Sequence, residues 1–214
     1  MMMYSTQTRS MYKLRLGLLI VAALSLTTAL ILGSETEAAQ PAKQTLAKFD
    51  NNGSLVRPTG YREWVFIGAP LTPNDMNNGQ AAFPEFHNVY IDPISWAHWK
   101  SKGEFRDGTV VVKELVSVGS KTSFSGNGYF EGEYIGLEAM VKSKAHFANN
   151  PGNWGFFRFT NEDFQSLKSK ADVLPNDACA ACHSPNAKQD LVFIQHYPVL
   201  RAGKAAGKAA TGGY

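Results

Sequence analysis

The sequence predicts an α+β fold that is mainly β: an antiparallel sheet, a few short helices, and a C-terminal helix carrying both cysteines of the chain. Three observations predict it. Apolar runs between Leu46 and Pro198 are short and often β-branched. Turns rich in Gly, Pro, Asn and Asp separate them at close intervals. Segments with helical periodicity are few. Strands that succeed one another through short polar turns pair antiparallel, because parallel pairing needs long crossovers.

Taken in order, residues 61–68 (Y-R-E-W-V-F-I-G) and 88–91 read as strands closed by Pro70 and by Asp92-Pro93. Asp92-Pro93-Ile94-Ser95 opens a helix running to Lys102, with Asp92 as cap and Pro93 in the first turn. Residues 110–118 (V-V-V-K-E-L-V-S-V) form the clearest strand, stopped by Gly119. Residues 129–141 follow the turn Ser125-Gly126-Asn127-Gly128, and residues 154–160 follow Pro151-Gly152-Asn153 in the same way. A helix is expected over residues 161–170, where Asn161 resembles a cap and Phe164 and Leu167 lie three apart. The last helix carries the cysteines, with Pro175 and Asp177 at its start and Pro185 at its end.

Composition excludes several classes. The chain has 214 residues, and its 12% aromatics and 44% hydrophobics exclude intrinsic disorder for most of it. A net charge of +3 gives no reason to expect nucleic acid as a partner. Two cysteines cannot build a disulfide scaffold. Residues 1–39 read as a signal peptide. Arg9, Lys13 and Arg15 precede an apolar run over residues 16–32, and Ala38 and Ala39 offer a small-residue cleavage site. An uncleaved anchor is the alternative. Cleavage near Ala38 or Ala39 would leave an exported, periplasmic domain over residues 40–200, off the membrane and nearly neutral. Residues 201–214 repeat Ala, Gly and Lys without an apolar face and are expected to be a flexible tail.

Cys179-Ala180-Ala181-Cys182-His183 is a C-x-x-C-H pentapeptide, the attachment signature of c-type haem. Thiols one helical turn apart can each form a thioether to a haem vinyl group, and the adjacent His183 is then aimed at the iron. Thioredoxin-like use would want a βαβ context, which the pattern lacks. A zinc site would need more ligands than His196 supplies. Met76 and Met140 read as loop or core residues, and no Met follows His183, so the distal side of the iron is expected to be open to a small molecule.

At this point the chain resembles the cytochrome P-460 family of exported c-type haem proteins. The resemblance is carried by Y-R-E-W-V at 61–65, V-Y-I-D-P at 89–93, F-R-D-G-T at 105–109 and V-K-E-L-V-S-V-G at 112–119. It continues in Y-I-G-L-E-A at 134–139, P-G-N-W at 151–154, the haem motif, and Y-P-V-L-R-A at 197–202. It implies oxidation of hydroxylamine to nitrous oxide or nitric oxide, an external electron acceptor such as a c-type cytochrome, and a homodimer. The beta-type cytochrome c-prime, a non-catalytic binder of nitric oxide with the same haem motif, is the first alternative. A plain electron carrier is the second.

The resemblance also implies site residues. Lys113 matches a lysine that forms a third covalent link to the haem. Alternation puts it on one strand face with Val111, Leu115 and Ser117. Glu138 matches a distal carboxylate that relays protons. A regular strand would group it with Phe130, Tyr134 and Met140, where a carboxylate is suited to proton exchange. His87 stands where relatives can carry a distal arginine and is a further candidate. Phe83, Phe86, Tyr90, Phe130 and Trp154 are expected in the core, and His98, His146 and His196 as ordinary histidines.

Overall fold

The computed structural model describes residues 45–163 and 166–204. The segment read as a signal peptide lies outside the described residues, as does the tail beyond Lys204. Five strands form one antiparallel sheet in the order β2 (Val65–Gly68), β3 (Phe86–Ile91), β4 (Val110–Val118), β7 (Glu131–Lys142), β8 (Trp154–Arg158). Two small ladders accompany it: β1 (Leu55–Val56) with β9 (Lys170–Ala171), and β5 (Thr122–Ser123) with β6 (Gly126–Asn127). The helices are α1 (Pro93–Lys102), α2 (Lys144–Phe147), α3 (Asn176–Asn186) and α4 (Pro198–Lys204).

Strand β4 is central, and its β-branched run fits that place because both of its faces are covered. On one face Ile67, Val89, Ile91, Val111, Met140 and Phe156 pack with Trp99, Ala180 and Leu200 from the helices. On the other, Val110, Val112, Leu137, Ala139 and Phe157 pack with Leu55, Tyr61 and Ala171. Asp92 joins sheet to helix. Its fully buried carboxylate accepts from Ser95 N at 2.8 Å, capping α1, and from Val110 N at 2.8 Å. Asp92→Ala removes a cap and orphans a buried N–H, so the unfolding free energy should fall by about 2–4 kcal/mol. Urea unfolding reads this directly, and an unmoved midpoint would refute it.

Three expectations are corrected. Residues 61–63 form a 3-10 turn rather than the start of a strand, because Gly60 (φ +68°) turns the chain and Tyr61 bends in to donate to buried Glu114 at 2.8 Å. Among the described residues of 161–170 there is no helix. Asn161 N donates to Ser166 O, Ser166 N donates to Asp163 Oδ1, and Lys168 N returns to Phe159 O, so side chains and a strand-like return compete for the helical donors. Residues 201–204, read as tail, continue α4. Arg201 donates to the Gln195 carbonyl, and Lys204 donates to Gln189 Oε1 at 2.6 Å. Gly203 sits against the Trp96 ring, where a Cβ would lie 2.2 Å from a ring carbon. Small residues here admit a tryptophan instead of leaving the segment loose.

Candidate haem site

The site is built on the sheet face that carries the helices. Antiparallel register places Val89, Lys113, Glu138 and Arg158 in one row across β3, β4, β7 and β8. Lys113 Nζ and Glu138 Oε2 are 2.6 Å apart, with side chains about a quarter to a third exposed. The next row holds His87 opposite Leu115. The three residues that the family resemblance singled out, His87 on β3, Lys113 on β4 and Glu138 on β7, therefore share one face. Glu114, next in sequence to Lys113, points the other way, where it is buried with Tyr61 and capped by the exposed Arg62.

The grouping around Glu138 is corrected in one respect. Leu115 pairs with Gly136 but Val116 pairs with Tyr134, so Ile135 is an extra residue on β7. This bulge turns Tyr134 over to the opposite face, beside Tyr61, with the Arg62 guanidinium 5.4 Å from its ring centroid. Met140 stays on the Glu138 side, in the core. Phe83 is likewise not a core residue. It is 53% exposed, and its ring lies 5.4 Å from Lys113 Nζ and 5.9 Å from the His87 ring.

Helix α3 brings the C-x-x-C-H segment to this face. Ala180 is buried in the core beneath it and Cys179 packs against the same cluster, whereas Cys182 is exposed. Both thiols are free. Burial first, then the Glu138 carboxylate, push the Cys179 thiol up. Burial pushes the His183 imidazole down, and the charges of Lys113 and Glu138 also act on it. These shared influences place the helix and the Lys113–Glu138 pair at one site.

His183 is the most closely held of these groups. Its Nδ1 lies 2.7 Å from the Leu191 carbonyl, and Phe156 and Phe193 meet its ring edge-to-face at 4.9 and 4.7 Å. With Nδ1 engaged, Nε2 is left as the ligating nitrogen. The carbonyl is aimed by two successive left-handed residues, Asp190 (φ 49°) and Leu191 (φ 60°). Asp190 is held in turn by Lys142 Nζ at 2.8 Å and Trp154 Nε1 at 3.2 Å. Gly152 makes room for this arrangement: its φ is +60°, and a Cβ would lie 2.8 Å from Asp190 Oδ1. Sequence reasoning missed Leu191, Asp190 and Phe193, because nothing in their local pattern shows that the chain returns to His183.

The sequence model of the family described as Cytochrome P-460 matches residues 58–194. The chain belongs to the cytochrome P-460 family. The matched span takes in every stretch that carried the resemblance except residues 197–202. No curated protein matches the chain. Membership of the cytochrome P-460 family implies a haem cofactor and haem-dependent oxidation as the class of chemistry. The donor set fits that cofactor: two free thiols one turn apart on α3, a histidine whose outer nitrogen is already bonded, and two aromatic rings edge-to-face with its ring. Among the described residues, no group of three or more His, Cys, Asp or Glu is arranged to hold a metal ion. Among the same residues no helix is long and apolar enough to cross a membrane.

Proposed function

We propose that this cytochrome P-460 family member is a haem c oxidoreductase that oxidises hydroxylamine to nitric oxide or nitrous oxide. One observation carries the reading. Lys113 and Glu138 stand face to face at 2.6 Å on the sheet face that α3 covers with Cys179 and His183. In this reading Cys179 and Cys182 form the thioethers, His183 Nε2 ligates the iron, and Lys113 supplies the third covalent link. When bound, the haem supplies the redox centre that takes electrons from the substrate.

The chain's own groups do the rest. Glu138 receives protons from the substrate nitrogen and oxygen, and Lys113, once linked, would keep one N–H directed at that carboxylate. Phe83 lies against the Lys113 amine, with its ring centroid 5.4 Å away. Oxidation of one hydroxylamine to nitric oxide releases three protons and three electrons. Coupling two hydroxylamines to nitrous oxide and water releases four of each. The electrons go to an external acceptor, for which a small c-type cytochrome is proposed. Export to the periplasm, signal-peptide cleavage and a homodimer belong to the same reading.

Lys113→Ala tests the third link. The wild type should retain haem mass on the denatured chain and show a Soret band shifted strongly to the red, and the variant should revert to an ordinary c-type spectrum. Identical spectra in the two proteins would refute the link. A wild type with an ordinary spectrum that binds nitric oxide without oxidising hydroxylamine would instead match the gas-binding beta-type cytochrome c-prime.

A further inference from the structure

We propose that Glu85 and His87 form the proton outlet of the candidate site, carrying protons released beside Glu138 into a cavity at the end of the same sheet face. The physiological role of this outlet rests on the hydroxylamine reading, but the path itself does not. Two observations carry it. The first is a pair. His87 Nε2 lies 3.3 Å from Glu85 Oε1, both side chains are mostly buried, and His87 sits one row from Lys113 on the shared face. Phe83 touches both Lys113 and His87.

The second observation is the cavity. A space of about 320 Å³ is lined by Glu85, Ser117, Ile135, Asp75 and Lys121. Ser117 continues the alternation of Lys113 and Leu115 along β4, so the cavity lies on the face of the site and not behind it. At roughly 30 Å³ per water it has room for several, with polar partners on its walls. Among the described residues, Glu85 both lines the cavity and bonds His87.

The charged groups facing Glu85 are His87 from β3 and Lys113 from β4, with Asp75 and Lys121 across the cavity. Asp75 is bound to Lys121 and to the Tyr129 hydroxyl. Burial pushes the Glu85 carboxyl up, but its bonds from His87 and from its own backbone N–H hold it below the usual carboxylate range. Such a carboxylate gives up a proton to water readily.

The chemistry requires an outlet. Each turnover releases at least three protons, and one Glu138 carboxylate holds one at a time. In the proposed relay the Glu138 O–H breaks, and its proton crosses the Lys113 row by way of water to reach His87 Nδ1. The Nε2–H proton then passes to Glu85 Oε1, and Glu85 releases it to water in the cavity. No electrons move in these steps.

Association of hydrogen cyanide with the ferric haem protein, measured by stopped flow at pH 6–8, tests the path without turnover, because HCN must lose its proton as it binds. Glu85→Gln and His87→Gln should each slow association about tenfold, and millimolar formate should restore the Glu85→Gln rate. Glu131→Gln, a control on the exposed part of β7, should bind as wild type. Rates within twofold of wild type in both variants, with unchanged Soret bands, would overturn the outlet. So would slowing that formate leaves untouched. If the wild type fails to oxidise hydroxylamine, the proposed function fails, and the cyanide rates still decide the outlet.

Discussion

Glu138→Gln should lower kcat/KM for hydroxylamine by about 10²- to 10⁴-fold, the range for removing a positioned proton acceptor. Glutamine keeps the size and one acceptor oxygen, so Lys113 retains a partner and the sheet register has no reason to change. The loss should therefore fall mainly on kcat, with the resting spectrum preserved. Glu138→Asp should recover part of the activity, since it restores the carboxylate at a shorter reach. Steady-state assays with an artificial oxidant read both. A Gln variant within threefold of wild type would remove Glu138 from the proton path.

The double variant Cys179→Ala/Cys182→Ala should carry no covalent haem. In the proposed reading the thioethers would hold the cofactor beside Lys113, and without them the lysine would meet it only transiently, so the third link would have no steady partner. Acid–acetone extraction followed by intact mass should give the bare polypeptide, and hydroxylamine oxidation should vanish. Single variants should keep a reduced haem content, with Cys179→Ala the more disturbed, because Cys179 packs against the core while Cys182 is exposed. Haem mass remaining on the denatured double variant would contradict the assignment of both thiols.

Much of the fold was legible because its signals are local. The strand over Val110–Val118 begins and ends where the β-branched run does, and α1 begins at the cap Asp92 and Pro93 as expected. The misread segments are those where a distant partner outweighs local preference. Tyr61 follows buried Glu114 rather than strand propensity, and residues 201–204 hold as helix because Trp96 and Gln189 receive them. Regular alternation along residues 129–141 predicted Tyr134 beside Glu138, and one extra residue at Ile135 reversed it.

By itself the sequence determined the spacing of the residues proposed to attach the haem. Cys179, Cys182 and His183 lie within five residues, so backbone geometry alone sets their spacing, and alternation separates Lys113 from Glu114. Only the tertiary structure decided that Lys113 and Glu138 stand opposite each other at 2.6 Å, that Leu191 binds His183, and that Glu85 joins His87 to a cavity. Each of these is a meeting between segments far apart in the chain. Register, bulges and the left-handed turn at Asp190 and Leu191 set such meetings, and a slip of one residue on β7 would send Glu138 to the other face.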